Sequence, residues 1–307
     1  MNMNFFFVRT LLIFLLSVGG SISFLSYKLQ GQPLEQQRVP STYLNVMTFN
    51  IRYNTSRDSA NAWSFRKDLV SSQILFHEVH ILGVQEALFD QIQDLQKRLP
   101  AYRRVGVGRD DGATKGEFSA ILFDSTRLKM VTSGTFWLSP TPSVAGSKGW
   151  DAALPRIATW VTLRDKQSKS TVTIINTHLD HQGVQARKES AHLILQKLAA
   201  MRPRENSIVM GDLNSIPSDA PATIFSSALK DSKAVSLTGH YGPTGTFNGF
   251  EKSELDDKPI DYIFVSSDIA VLQHATLSQT WHGRFSSDHF PVFARLRLSS
   301  LAIKNNR

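Results

Sequence analysis

Six short stretches of this chain set an acid, an amide or an imidazole at the end of an apolar, β-type run. They are Asn50 in Thr48-Phe49-Asn50-Ile51-Arg52, Glu86 in Val84-Gln85-Glu86, His178 in Asn176-Thr177-His178-Leu179-Asp180, Asp212 and Asn214 in Gly211-Asp212-Leu213-Asn214, Asp261 in Pro259-Ile260-Asp261-Tyr262, and Asp288 and His289 in Ser286-Ser287-Asp288-His289-Phe290. Strand ends beside loops are where layered folds build their sites, so these side chains are expected to converge on one pocket. Carboxylates with an amide suit a hard divalent cation, and imidazoles beside carboxylates suit proton transfer and anion stabilisation. Each residue alone also has a plainer reading. Asn50 or Asp212 closes an Asx-turn, Glu86 supplies charge where a helix begins, His178 is a hydrogen-bonded, partly buried imidazole, and Asp261 is a structural carboxylate.

The elements that must carry these residues are legible as apolar runs. Strand-type runs recur at 44–49, 81–84, 102–107, 118–123, 135–138, 157–163, 171–176, 207–210, 261–265, 271–277 and 290–298. The last alternates: Phe290, Val292, Ala294, Leu296 and Leu298 share one face, and Phe293, Arg295 and Arg297 the other. That is the pattern of a strand with one face on a core. Leu88, Ile92, Leu95 and Leu99 follow helical spacing before Pro100, as do Ala191, Ile194, Leu198 and Met201 before Pro203; a third amphipathic stretch covers 65–79. Few helices against many strands predict a sheet-rich α+β or layered α/β protein of two packed sheets with helices outside. No repeat of solenoid length is present.

The chain has 307 residues, 41% of them hydrophobic, which is ample for a large core. Its formal charge of +8 is spread out rather than gathered in runs, so dedicated nucleic-acid binding is not indicated, although anionic substrates or membrane faces are compatible with it. The absence of cysteine excludes disulfides, thiolate catalysis and Cys-ligated zinc. Residues 1–29 contain a nearly continuous apolar stretch, with 10–27 approaching a bilayer span, and read as a signal peptide or a membrane anchor. Export, with membrane attachment through this segment or secretion after cleavage, is the expectation. Residues 30–43, polar and containing Pro33 and Pro40, read as a linker.

Taken in order, the six motifs resemble those of the endonuclease/exonuclease/phosphatase superfamily. It includes pancreatic-type deoxyribonuclease, abasic-site endonucleases, inositol-polyphosphate phosphatases, bacterial sphingomyelinases and deadenylases. The resemblance covers 44–298, leaving 299–307 as a tail. It implies a deoxyribonuclease-like, four-layered α/β/β/α sandwich. Phe136-Trp137-Leu138-Ser139, Gly146-Ser147-Lys148-Gly149-Trp150-Asp151, Pro155-Arg156-Ile157 and Asn176-Thr177-His178-Leu179-Asp180-His181 look like a bacterial branch of metal-dependent hydrolases, some tied to sugar-phosphate phosphatase activity.

The resemblance implies that Asn50, Glu86 and Asp288 hold Mg²⁺ or Mn²⁺. It further implies that Asp261 orients His289 against the scissile phosphate and that Asp212 positions or deprotonates the attacking water. Asn214 would donate to a phosphoryl oxygen, and His178 would contact phosphate or protonate the leaving group. Arg156, Trp150 and His181 are the expected substrate contacts: Trp150 stacks on a sugar or base, Lys148 and Arg156 meet phosphate, and His181 lines the site or supports a residue that does. A packed Trp150 pinning the long loop 140–155 is the plainer alternative. Glu117 and the loop at Thr246-Phe247 are further site-flanking candidates, whereas Asp110-Asp111-Gly112 reads as a turn. The implied activity is hydrolysis of a small phosphorylated molecule such as a sugar phosphate, by direct attack of water, in a monomeric protein. Nuclease action on nucleic acid and cleavage of a lipid headgroup are the rival activities, and a catalytically silent adaptor is a different class.

Overall fold

In the computed structural model, residues 43–201, 206–251 and 257–299 are described. The expected leader or anchor, nearly all of the linker and 300–307 of the tail lie outside the described residues. Among the described residues, no helix is long and apolar enough to cross a membrane.

The apolar runs become two sheets of six strands. The first has the order β11-β12-β1-β2-β4-β3, from β1 (Leu44–Asn50), β2 (Ile81–Gln85), β3 (Tyr102–Val105), β4 (Ile121–Asp124), β11 (Ala270–Thr276) and β12 (Val292–Arg297). The second has the order β5-β6-β7-β8-β10-β9, from β5 (Leu128–Trp137), β6 (Ile157–Asp165), β7 (Thr171–His178), β8 (Ser207–Asp212), β9 (Lys230–Asp231) and β10 (Asp261–Val265). Each sheet has one parallel pair at its centre, β1 with β2 and β7 with β8, and the other neighbours run antiparallel. Parallel pairing puts the C-terminal ends of both partners side by side. Asn50 is thus level with Gln85, and His178 with Asp212.

Period-two alternation sorts the side chains into layers. Val46, Ile81, Ile174, Ile208, Ile263, Val292, Ala294 and Leu296 fill the space between the sheets. Their neighbours Met47, Phe49, Leu82, Val84 and Phe293 point outward, onto α1 (Trp63–Phe76) and α2 (Phe89–Arg98). On the other outer face Ile175, Val209, Tyr262 and Phe264 pack beneath α3 (Val184–Met201) and α4 (Ala220–Ala228). The result is the four-layered α/β/β/α sandwich of deoxyribonuclease-like proteins. Burying each large aliphatic or aromatic side chain stabilises the layers by about 1.5–3 kcal/mol.

A polar link near the site fixes one sheet on the other. Asn176 of β7 donates through Nδ2 to the backbone oxygens of Val84 (3.0 Å) and Ala120 (2.9 Å), and its Oδ1 accepts from Gln85 Nε2 at 2.6 Å. All these groups are buried, so breaking one leaves an unpaired partner in the core.

Some boundaries differ from the sequence expectation. β5 begins at Leu128 rather than 135, because its first half is an edge in which Lys129, Met130, Val131 and Thr132 are all exposed and do not alternate. α4 was not expected: its Ala/Ser-rich sequence buries only Pro221, Ala222 and Phe225 and has no strong stripe. α3 starts at Val184, ahead of the apolar anchors from Ala191.

Candidate active site

The C-terminal ends of β1, β2, β7 and β8 and the start of β10 surround a depression of about 530 Å³ at one end of the sandwich. Glu86, Arg156, His178, His181, Asp212, Asn214, Asp288 and His289 line it, together with Arg52, Tyr53, Glu117, Leu154, Phe247 and Ile260. Asn50 and Asp261 lie directly beneath, hydrogen-bonded to these residues. The six sequence motifs therefore meet in one place.

Local turns aim the side chains. Asn50 does close an Asx-turn, its Oδ1 accepting from Arg52 N at 3.1 Å, and Asp212 closes another by accepting from Asn214 N at 2.9 Å. The plainer reading of these residues and the functional one coexist. The Asn50 amide donates to Glu86 Oε1 and to Asp212 Oδ2, both at 3.0 Å, tying two carboxylates together. Its oxygen, expected to face a metal, is engaged by the Arg52 N–H. Glu86 sits in left-handed backbone (φ 60°) and accepts from Tyr53 N at 3.2 Å. The terminal segment is seated by buried Arg66, which donates to the carbonyls of Ile51 (2.9 Å) and Ser286 (2.8 Å), and by Ser287 Oγ donating to Asn50 O at 2.7 Å.

The two imidazoles are pushed in opposite directions. His289 Nδ1 lies 2.9 Å from Asp261 Oδ2, and its Nε2 is 3.8 Å from Asp212 Oδ2. Burial alone would lower its pKa, but Asp261, Asp212 and Asp288 together raise it well above the ordinary histidine value. His178 also lies near a carboxylate, its Nε2 3.5 Å from Asp212 Oδ2, but burial, then the Arg156 and Arg109 guanidiniums, hold its pKa well below that value. Asn214 Nδ2 donates to Leu179 O (3.1 Å) and lies 3.0 Å from His178 Nε2, a contact that suits the accepting nitrogen of a neutral ring. In this arrangement the Asn214 amide helps to position the His178 ring. Burial and the neighbouring Asp261 raise Asp212 far above the usual carboxylate range, against the pull of His289.

Two donor sets fit a divalent cation. Glu86 and Asp288 face a common space, with the Arg52 guanidinium 3.9 Å from the first and 3.8 Å from the second, and burial followed by repulsion from Glu86 raises the pKa of Asp288. Hard oxygens gathered where they repel one another suit Mg²⁺ or Mn²⁺. Asp212, Asp261 and His289 also bring ligand atoms within 4.8 Å of one another, all buried. In that set His289 Nδ1 is already hydrogen-bonded to Asp261, and in the other both carboxylates already lie within 4 Å of the Arg52 guanidinium.

Arg156 is buried, donates through Nε to Asp180 Oδ2 (3.3 Å), and its Nη2 lies 3.0 Å from His181 Nδ1. It thereby presents His181 to the depression. Glu117 is clamped by Arg109 through two bonds, of 2.7 and 3.0 Å. Phe247 is 48% exposed and stands edge-on to the His289 ring at 5.1 Å. Of the sequence candidates, exposed Lys148 is not among the residues that line the depression, and Trp150 is placed elsewhere. It lines a separate groove against α3, because Asp151 caps the first turn of that helix and draws the loop over it. Arg52, Tyr53, Leu154 and Ile260 escaped the sequence reading. Arg52 and Tyr53 directly follow the Asn50 motif, but only their unusual turn, with Arg52 at φ 56°, brings them to the rim.

The sequence matches the Endonuclease/Exonuclease/phosphatase family over residues 47–289. The chain belongs to that family. A family member from Bacteroides vulgatus is 35% identical and superposes with a TM-score of 0.80, covering 84% of this chain and 99% of its own. A Bacteroides thetaiotaomicron mannosyl-6-phosphatase is 37% identical, also at TM-score 0.80, over 82% of this chain and 99% of that one. The human Nocturnin catalytic domain, at 23% identity, TM-score 0.67 and coverage of 84% and 95%, shares the fold. No curated protein matches the sequence. Members of the family are phosphoesterases, and the depression carries the groups that such chemistry needs.

Proposed function

We propose that the protein is a divalent-metal-dependent phosphatase that hydrolyses the phosphate ester of a small molecule, with a sugar phosphate as the preferred class. The observation that carries this reading is the position of Asp212, whose Oδ2 lies 3.5 Å from His178 Nε2 and 3.8 Å from His289 Nε2 beside the Glu86–Asp288 pair. A carboxylate with a raised pKa is a competent base for water. In this scheme Asp212 takes the water proton, the water oxygen bonds to phosphorus as the phosphorus–ester oxygen bond breaks, and the departing oxygen takes up a proton from solvent, with no covalent intermediate. The His289 cation, held by Asp261, faces the charge on the phosphoryl oxygens, and neutral His178 orders the approach. Glu86 and Asp288 would hold Mg²⁺ or Mn²⁺, which would supply further charge neutralisation for the phosphoryl group.

The named activity of the mannosyl-6-phosphatase relative supports the sugar-phosphate class, as do the modest size of the depression and the hydrogen-bonding pair Arg156 and His181 at its wall. Attachment to a membrane or export through residues 1–29 belongs to the same proposal and rests on the apolar sequence there.

A panel assay tests the reading. Purified protein with Mg²⁺ or Mn²⁺ is offered hexose 6-phosphates, plasmid DNA and sphingomyelin. Release of inorganic phosphate from the first is the expected result. Nicking without phosphate release would make it a nuclease, and phosphocholine release a lipid phosphodiesterase.

A further inference from the structure

The loop between β5 and β6 holds its one tryptophan in a conformation that packing alone does not account for. Trp150 has φ 53°, a left-handed backbone that costs energy for a bulky residue, yet 38% of it remains exposed. Its neighbours leave it no freedom to relax. Asp151 accepts from the backbone N–H of Gln185 (3.2 Å) and Ala186 (2.6 Å) at the first turn of α3. On the other side, a Cβ at Gly149 would come within 2.6 Å of Ser139 Cα. Trp137 N donates to Pro142 O at 2.9 Å and Leu138 N to Arg156 O at 2.7 Å, closing the base of the loop.

The held ring forms one wall of a groove of about 550 Å³. Pro140 is part of the same wall, and Glu189, His192, Gln196 and Lys197 rise from α3 opposite. These four fall at helical spacing on one face, and none of them lines the depression that holds Asp212. One acid, one imidazole, one amide and one ammonium in a row favour no single charge. They suit a neutral ligand rich in groups that both donate and accept hydrogen bonds. A flat, partly exposed indole suits a ligand that also has an apolar face. Sugar rings combine both properties, whereas a polyanionic chain would meet Glu189 unfavourably.

We propose that this groove is a saccharide-binding site, separate from the catalytic depression, in which Trp150 stacks on a sugar ring and the α3 side chains hydrogen-bond its hydroxyls. The claim goes beyond the phosphatase reading, and its test involves no turnover. The loop that lines the groove continues into Leu154 and Arg156 at the wall of the depression, so a glycan held here is kept close to the chemistry.

Affinity electrophoresis of the full chain in native gels containing yeast mannan, dextran or no polysaccharide tests it. The parent protein is expected to be retarded by at least one of the two polysaccharides, Trp150→Ala to lose the retardation, and Trp150→Phe to keep part of it. Phosphatase activity on a monosaccharide phosphate should be unchanged in these variants. Should Trp150→Ala fail to fold by circular dichroism, the His192→Ala/Gln196→Ala double variant, altered at two exposed positions, carries the same expectation of lost retardation. A parent that migrates alike in all three gels overturns the proposal. So does a folded Trp150→Ala that is retarded as strongly as the parent.

Discussion

His178 and His289 have the same side chain and opposite fates, set by burial and by the charges around each ring. Asp261 keeps His289 protonated, while the buried Arg156 and Arg109 charges help to keep His178 neutral. Asp261→Asn should therefore lower kcat about a hundredfold or more, with a smaller change in KM, in steady-state assays. The charged form of His289 is present below its folded pKa and lost as pH rises through it. Removing the Asp261 carboxylate must shift that loss to lower pH. An NMR titration of the His289 ring in the two proteins checks the direction. The residue types in this site were legible from sequence because acids, amides and imidazoles stood at strand ends in family order. What the side chains do to one another was not. That Asn214 turns its amide hydrogens on His178, and Asn50 on two carboxylates, depends on backbone conformations that local sequence leaves open.

At the scale of elements, the site depends on how closely β7 and β8 approach at their C-terminal ends. Gly211 precedes Asp212 with φ 144°, and a Cβ there would lie 1.9 Å from Thr177 O. Gly211→Ala is expected to lower stability by about 3 kcal/mol or more, read as a shift in the urea midpoint, and to reduce activity in the protein that remains folded. β11 gives a different test. His274 is buried with its Nδ1 2.9 Å from His240 Nδ1, and burial, then His240 and Lys233, lower its pKa to about 3. A folded pKa below the unfolded one means that stability is full above about pH 6.5 and is lost as pH falls toward 3, by about 1.4 kcal/mol per pH unit for one proton. His274→Gln should flatten urea-derived stability across that window. Strand alternation was the most readable element signal, since Val292, Ala294 and Leu296 do face the inter-sheet core and Phe293 the helical layer. Short α4 and the exposed edge of β5 lack a one-sided apolar pattern, and the path that carries Trp150 to α3 is set by a side-chain cap at long range.

For the whole molecule, three apolar layers hold the sandwich together, while the acids of the site crowd at one end. Chelation of divalent cations is accordingly expected to abolish turnover yet leave the far-ultraviolet circular dichroism spectrum unchanged; loss of the spectrum with the metal would mean that the ion is structural. The layered architecture was recoverable from the order of apolar runs, because layers follow from which faces must be covered. The substrate is a matter of the depression's walls, where Arg156, His181, Tyr53 and Phe247 come from four separate segments. The most direct test of the account is phosphate release from mannose 6-phosphate by the parent and by Asp212→Asn, each with Mg²⁺ and with excess chelator. The expected outcome is turnover by the parent with Mg²⁺ alone and a fall of about two orders of magnitude or more in Asp212→Asn. Near-parental turnover by folded Asp212→Asn, or undiminished turnover under chelation, would contradict it.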